Sequence, residues 1–285
     1  IQRCKDIETV MFAGMGEPLT HRNIFNMVKD VSALNISPHL LTNGTMLDRA
    51  CTDKLLECGL DMLWISIDGF SKEGYERIQI GSRYDLIHNN LKYFSSCKGK
   101  CKLGITFVVM RENQDELRKI NSFADMVGAD EINLSYAIPS QPTKAEDALY
   151  DSGIPVGKTD RLHNNAKKCK LNFCPFIEGG MAFVKSNGDI CPCMQLLHSS
   201  YTYLFEEKRM VLACSFGNVS ERFIDDIWLS NEYSDFREKV HEFNFPDCTL
   251  CDGCGDRLEN RKDCMFNCFP TCGACLWAQG AARCP

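Results

Sequence analysis

Along residues 7–138 short apolar runs alternate with longer stretches of helical spacing. The runs are "ETVMFAG" (8–14), "SPHLLTNG" (37–44), "DMLWISIDG" (61–69), "CKLGITFVVM" (101–110) and "DEINLSYAI" (130–138). They are rich in β-branched and aromatic residues, as parallel strands buried on both faces should be. The spacing between them predicts helices around 21–34, 48–58, 83–97 and 114–127. Gly59 and Gly128 fall just past the second and fourth of these, where a helix end favours glycine. Asp48 and Asn113 stand at N-cap positions. Five strands with four intervening helices predict an α/β domain with a parallel sheet. A barrel and a doubly wound open sheet look the same at this level. No GxGxxG follows the first strand, so a dinucleotide fold has little support.

Residues 139–168 are polar, with Pro and Gly, and read as a linker or long loop. The pattern then changes. "GGMAFVKSNGDICPC" (179–193) alternates on each side of Asn187-Gly188, a strong hairpin-turn signal. "SERFIDDIWLSNEYSDFREKV" (220–240) reads as two helices, with Ile224, Ile227 and Trp228 on one face and Phe236 with Val240 on another. Cys214 falls in an expected strand and reads as a packed thiol. From Cys248 onward there is no periodicity, only cysteine spacing. Such a segment has too little apolar side chain to form its own core, and metal must organise it. The expected division is 1–140, 141–168 as linker, and 169–285.

Composition narrows the classes. The chain has 285 residues, 44% hydrophobic and 25% charged, within the ordinary globular range. A net charge of −6 disfavours a nucleic-acid partner. No apolar run approaches a membrane span, and the first residues do not make a signal peptide. The first residue is not Met, so a fragment or a processed chain is expected.

The 18 cysteines change the picture most. Five lie in residues 1–168 and thirteen in 169–285, eight of them between Cys248 and Cys284. Without an export signal, they point to reduced thiolates on metal rather than to disulfides. The spacing is Cys169-x4-Cys174, Cys191-x-Cys193, Cys248-x2-Cys251-x2-Cys254, then Cys264, Cys268, Cys272-x2-Cys275 and Cys284. C-x2-C pairs serve both zinc and iron–sulfur clusters. Twelve candidates crowded into about a hundred residues suit two four-thiolate cubanes better than regular zinc knuckles, and one or two structural zincs stay open.

The chain resembles radical S-adenosylmethionine (SAM) enzymes that carry a C-terminal SPASM domain. Three stretches carry the likeness. Gly14-Met15-Gly16-Glu17-Pro18 is similar to the family's GGEP turn. Cys174 to Cys193, with Gly188 five residues before the last Cys, is similar to the SPASM opening C-x(9–15)-G-x4-C. The terminal cysteine block follows "FGNVSERFIDDIW", which resembles the SPASM linker. The family's C-x3-C-x2-C motif, which binds the SAM-cleaving cluster, does not occur in this sequence. Neither does the family's first strand. Both gaps lead to the expectation that an N-terminal segment is missing, rather than that the chain is degenerate.

The resemblance implies a partial (β/α)6 TIM-like barrel whose second to sixth strands are the five above. It implies that Gly14, Met15, Gly16, Glu17 and Pro18 meet the amino group of SAM. Exposed carbonyls and a carboxylate suit an ammonium, and glycine lets the backbone approach. It further implies that Asn43, Ser66, Asp68, Arg111 and Asn113 line the cofactor mouth at the C-terminal strand ends. Two auxiliary [4Fe–4S] clusters are implied, with a third, SAM-cleaving cluster on the missing segment. One auxiliary cluster would use Cys169, Cys174, Cys193 and a thiolate of the terminal block. The other would use a pair from Cys248, Cys251 and Cys254, with Cys272 and Cys284. Cys275 could return to the first, and Cys264 is a further candidate ligand. Cys191 and Cys268 look dispensable.

The implied activity is that of an oxidoreductase or maturase. The intact protein would cleave SAM to a 5′-deoxyadenosyl radical and modify a peptide, protein or metalloenzyme partner, fed by a low-potential electron donor in a reducing, anaerobic cytoplasm. No nucleic acid or membrane partner is expected. A non-catalytic iron–sulfur electron-transfer or docking protein and a zinc-stabilised binding module are the alternatives.

Overall fold

The computed structural model describes residues 3, 4, 6–136, 142, 172–204 and 206–280. The expected linker (Pro142 apart), Cys169 and Cys284 lie outside the described residues, as do the last residues expected in the fifth strand.

Five strands form one sheet: β1 (Thr9–Phe12), β2 (Ser37–Thr42), β3 (Met62–Ser66), β4 (Lys102–Val109) and β5 (Glu131–Tyr136). All pairings are parallel and the order is β1-β2-β3-β4-β5. A doubly wound sheet reverses direction at a switch point. Here each right-handed crossover steps the same way, which puts the helices on one face and curls the sheet as a barrel does. This resolves the ambiguity left by the pattern in favour of the partial barrel. β1 forms the sheet edge, and Leu63, Ile65, Leu103, Ile105, Phe107, Ile132 and Leu134 are fully or almost fully buried.

Register explains one residue that propensity alone would exclude. Gly104 of β4 lies opposite Trp64 of β3. A Cβ there would come within 2.3 Å of the indole ring, so only glycine leaves the ring its place.

The helices α1 (Ile24–Ala33), α2 (Arg49–Glu57) and α4 (Tyr84–Cys97) follow the expected stretches. Asp48 caps α2, accepting from Cys51 N at 2.8 Å, and Cys51 and Cys58 fill gaps beside the core. Gly59 and Gly128 both adopt positive φ, 83° and 64°. Two features differ from expectation. The first is α3 (Lys72–Ile78), an unforeseen helix whose Ser71 cap accepts from Gly74 N at 3.2 Å. Its internal glycine weakens the helical pattern in sequence. The second lies after β4, where a 3-10 helix (Arg111–Lys119) precedes α5 (Ile120–Val127). Asn113 is therefore not an N-cap. It sits inside the 3-10 turn and its Oδ1 accepts from Met110 N at 2.7 Å.

The C-terminal part holds α6 (Pro175–Glu178), the hairpin β6 (Phe183–Val184) with β7 (Ile190–Cys191), the hairpin β8 (Ser200–Leu204) with β9 (Glu207–Val211), and helices α7 (Ile224–Trp228) and α8 (Asn231–His241). Gly188 turns the first hairpin at φ 90°. Cys214 is buried with Leu196 and Val211, but lies beyond the end of β9 rather than in a strand. Residues 248–280 are turns with one 3-10 helix, Gly255–Leu258. Leu204, Cys248, Ala274 and Leu276 join the barrel core, so the cysteine-rich segment packs onto the barrel.

Candidate functional site

Two regions gather chemistry: the C-terminal ends of the strands, and the cysteine-rich part.

The turn after β1 is open. Gly14 has φ 152°, nothing lies within 4 Å of a Cβ built on Gly14 or Gly16, and Met15 is 90% exposed. Its backbone is free to meet a ligand. Glu17 is not free. Its Oε1 accepts from Leu19 N at 3.0 Å and from the Thr42 hydroxyl at 2.8 Å, and its Oε2 accepts from Asn43 N at 2.9 Å. The carboxylate thus ties the first strand-end turn to the second. Pro18 begins the 3-10 turn that Glu17 caps. The Asn43 side chain closes its own loop, accepting from Thr45 N at 2.9 Å and the Thr45 hydroxyl at 2.6 Å.

Ser66 ends β3 and is half-buried. Asp68, two residues on, is 7% exposed. Its Oδ2 accepts from Gln79 Nε2 at 2.6 Å, while its Oδ1 is buried with no hydrogen-bond partner. Burial raises its carboxyl above the usual carboxylate value, against the Gln79 hydrogen bond and the nearby Val108 backbone N–H, which makes no hydrogen bond to Oδ1. An orphaned acceptor of this kind is a feature that a bound donor would satisfy.

The loop carrying Asp68 is clamped by the 3-10 helix after β4. Asn113, fully buried, donates from Nδ2 to Asp68 O at 3.2 Å and to Val108 O at 3.0 Å. Glu116 Oε2 accepts from Phe70 N at 2.7 Å and Ser71 N at 2.9 Å, and its Oε1 accepts from Lys119 Nζ at 2.6 Å. Burial works against the charge of Glu116, but Lys119 and the amide and hydroxyl donors outweigh it and lower its pKa. Gly74 makes room for this carboxylate, since a Cβ there would lie 2.4 Å from Glu116 Cδ. Asn113 thus braces the loop that carries Asp68. The Arg111 side chain lies outside the described residues. Gln79 and Glu116 escaped the sequence reading. A Glu three residues after Asn113 on a polar turn carries no signal of the loop it holds.

In the C-terminal part, Cys174, Cys193, Cys272 and Cys275 line one cavity of about 40 Å³, together with Gln195 and Arg209. Local structure aims them. Cys174 precedes α6, Cys193 precedes the 3-10 turn Met194–Leu196, and Cys272 and Cys275 share a turn closed by Cys275 N to Cys272 O at 3.0 Å. Backbone N–H groups of Phe176 and Ile177 favour the thiolate of Cys174, those of Gln195 and Leu196 that of Cys193, and those of Trp277 and Ala278 that of Cys275. Burial opposes them and prevails in the metal-free thiols. Cys174 is pushed up to about 11 and Cys193, Cys272 and Cys275 are also raised, with neighbouring thiolates adding to the rise at the first three. Loading such a site with metal releases protons.

A second thiol group surrounds Cys248, whose pKa is pushed up to about 11 by burial and then by Cys251, Asp263, Cys264 and Cys254. Asp263 shapes the turn that carries Cys264, its Oδ1 accepting from Met265 N at 2.9 Å and Asn267 N at 3.1 Å. The grouping differs from that implied by the resemblance. Cys272 stands with Cys174 and Cys193, not with the C-x2-C run, and Cys264 takes a place near that run. Sequence spacing missed this because Cys264 lies ten residues beyond Cys254, and only the fold returns it. The sixteen cysteines among the described residues are free. Among the described residues, no three His, Cys, Asp or Glu side chains close around one point as a single ion requires. No helix among them is long and apolar enough to cross a membrane.

Comparison with known proteins matches residues 1–124 to the radical SAM superfamily and residues 174–255 to the SPASM iron–sulfur cluster-binding domain. The tungsten-containing aldehyde ferredoxin oxidoreductase cofactor-modifying protein of Pyrococcus furiosus is 28% identical over 304 positions, covering 100% of this chain and 85% of that protein. SuiB of Streptococcus suis, solved with S-adenosylmethionine, shares the fold at TM-score 0.58 and 17% identity, over 80% of this chain and 56% of its own. anSMEcpe, solved with AdoMet and the Kp18Cys peptide, does so at TM-score 0.56 and 17% identity, over 81% and 69%.

Proposed function

The chain belongs to the radical SAM superfamily and carries an iron–sulfur SPASM domain, and from that premise we propose that it is the scaffold of a maturase that modifies a peptide, protein or metalloenzyme cofactor. The full-length likeness to a cofactor-modifying protein supports this substrate class, as does the peptide bound to anSMEcpe.

The observation that carries the reading is the ring of Cys174, Cys193, Cys272 and Cys275 about one cavity, with backbone donors favouring the thiolate at three of the sulfurs. This donor set fits a four-thiolate cluster. Cys248, Cys251, Cys254 and Cys264 would hold a second. Cys169 and Cys284, also expected as ligands, lie outside the described residues.

At the strand ends the residues present also fit SAM. The open backbone of Gly14–Gly16 offers acceptors for its ammonium, and Asp68 Oδ1 is an acceptor in need of a donor. Glu17 orients the first two loops, and Asn113 with Glu116 fixes the third. Ser66 and Asn43 lie at the rim. The C-x3-C-x2-C ligands of a SAM-cleaving cluster do not occur in this sequence, so these residues would bind and orient SAM, and SAM together with such a cluster would supply hydrogen-atom abstraction from the substrate. The chain's own part is to bind, to orient and to keep water from the reacting face. A low-potential donor in a reducing, anaerobic compartment would supply the electrons.

The test is anaerobic purification with iron and sulfide analysis, followed by an assay of SAM cleavage under strong reductant on the longest natural reading frame. About eight irons and eight sulfides per chain are expected for two cubanes. Zinc without sulfide, or no 5′-deoxyadenosine from fully loaded protein, would overturn the reading.

A further inference from the structure

We propose that Arg209 is a buried counter-charge to the thiolates of the Cys174/Cys193/Cys272/Cys275 cavity, and that it sets the reduction potential of the cluster held there. The inference rests on reading that cavity as a cluster site, and it concerns a residue that no ligand motif includes.

Arg209 lies in the middle of β9 and is 3% exposed. It lines the same cavity as the four thiols. Its Nε donates to Arg257 O at 2.9 Å, which holds the guanidinium plane in place. No carboxylate pairs with it among the described residues. Its neighbour Arg257 shows the contrast, being ion-paired with Glu207. A lone buried guanidinium carries a large desolvation penalty unless an anion lies close. The groups that supply negative charge here are thiolates. Cys272 and Cys275 line the cavity beside Arg209, and Cys248 lies close by, since a Cβ on Gly273, next to Cys272, would come within 3.0 Å of its sulfur. The cation therefore faces the thiols of the cavity from a dry position.

That placement has a redox consequence. A cluster on four thiolates gains one unit of negative charge when it takes one electron, with no bond made or broken. Cluster potentials respond to net charge, hydrogen bonds to sulfur and solvent exposure. A fixed cation in low dielectric favours the more negative, reduced form. Arginine suits the place because it stays charged when buried, whereas a lysine loses its proton more readily.

The experiment uses the full chain, reconstituted anaerobically, as wild type, Arg209→Lys, Arg209→Gln and Arg209→Met. Iron and sulfide are counted first, and each cluster signal is then followed by electron paramagnetic resonance through a mediated dithionite titration. Cys193→Ala identifies which signal belongs to the cavity. The expected result is that Gln and Met shift the midpoint of the cavity cluster to more negative potential, and that Lys stays closer to wild type. Loss of iron from Gln and Met but not from Lys also supports a charge requirement. Wild-type midpoints in Gln and Met at full iron content would overturn the proposal, as would equal loss of iron from all three. If Cys193→Ala keeps every iron and every signal, the cavity itself is not a cluster site, and that separate failure is read from the cysteine variant alone.

Discussion

Glu17 and Asn43 sit 26 residues apart in sequence, yet the carboxylate of the first accepts the backbone N–H of the second at 2.9 Å. The same carboxylate accepts the Thr42 hydroxyl at 2.8 Å. The residue that looked most like a ligand is thus the joint between two strand-end turns, and the turn it anchors presents backbone rather than side chain.

Glu17→Ala should therefore act on SAM binding through loop geometry. Three accepted hydrogen bonds vanish, leaving Thr42 and two amides to find water. The expected loss is about 1–3 kcal/mol of stability, with at least tenfold weaker SAM binding, each tenfold being about 1.4 kcal/mol. Urea unfolding and calorimetric titration with SAM check both. Unchanged affinity would remove Glu17 from the site.

Gly74→Ala should harm the Asp68 loop without touching it. The new methyl would meet the Glu116 carboxyl, which holds Phe70 and Ser71. Overpacking of this kind costs about 1–3 kcal/mol. Thermal unfolding reads the loss. Glu116→Ala relieves the overlap, so the double variant should lose less than the sum of the two singles.

Glu116 also predicts a pH dependence. Its folded pKa is lowered, so its contribution to stability is complete above the unfolded value of about 4.3 and is lost as pH falls through the lower folded value. Glu116→Gln should be less stable at neutral pH and show a flatter acid limb. Parallel wild-type and variant curves below pH 4.5 or so would contradict the assignment.

Cysteine variants separate the two thiol groups. Cys193→Ala and Cys264→Ala should each remove about four irons of about eight, and together nearly all. Cys268→Ala and Cys191→Ala should leave the iron content unchanged. Iron and sulfide analysis of anaerobic preparations decides the grouping.

Gly104→Ala should destabilise the barrel itself, because the methyl would lie 2.3 Å from the Trp64 ring in the adjacent strand. A loss of about 1–3 kcal/mol is expected, visible in urea unfolding and accompanied by a changed tryptophan emission.

The sequence by itself determined the five strands and most of the helices between them, though not α3, because buried parallel strands and amphipathic helices carry periods that survive without neighbours. Asp48 at a cap, Gly128 at a helix end and Asn187-Gly188 at a hairpin are local events, each decided within a few residues. The family likeness lay in the same kind of short stretch, from Gly14 to Pro18 and from Cys174 to Cys193. What only the tertiary structure decided is long-range. It turned Asn113 from an expected cap into a brace on Asp68, 45 residues away. It made a glycine inside α3 the price of the Glu116 carboxylate. It regrouped the thiols, sending Cys272 to Cys174 and Cys193 and bringing Cys264 toward Cys248, and it lodged Arg209 on the first group's cavity with no carboxylate partner among the described residues. The physical reason is one of range. Backbone geometry is set by nearest neighbours along the chain, whereas a charge or a thiol is satisfied by whatever the fold delivers within a few ångströms.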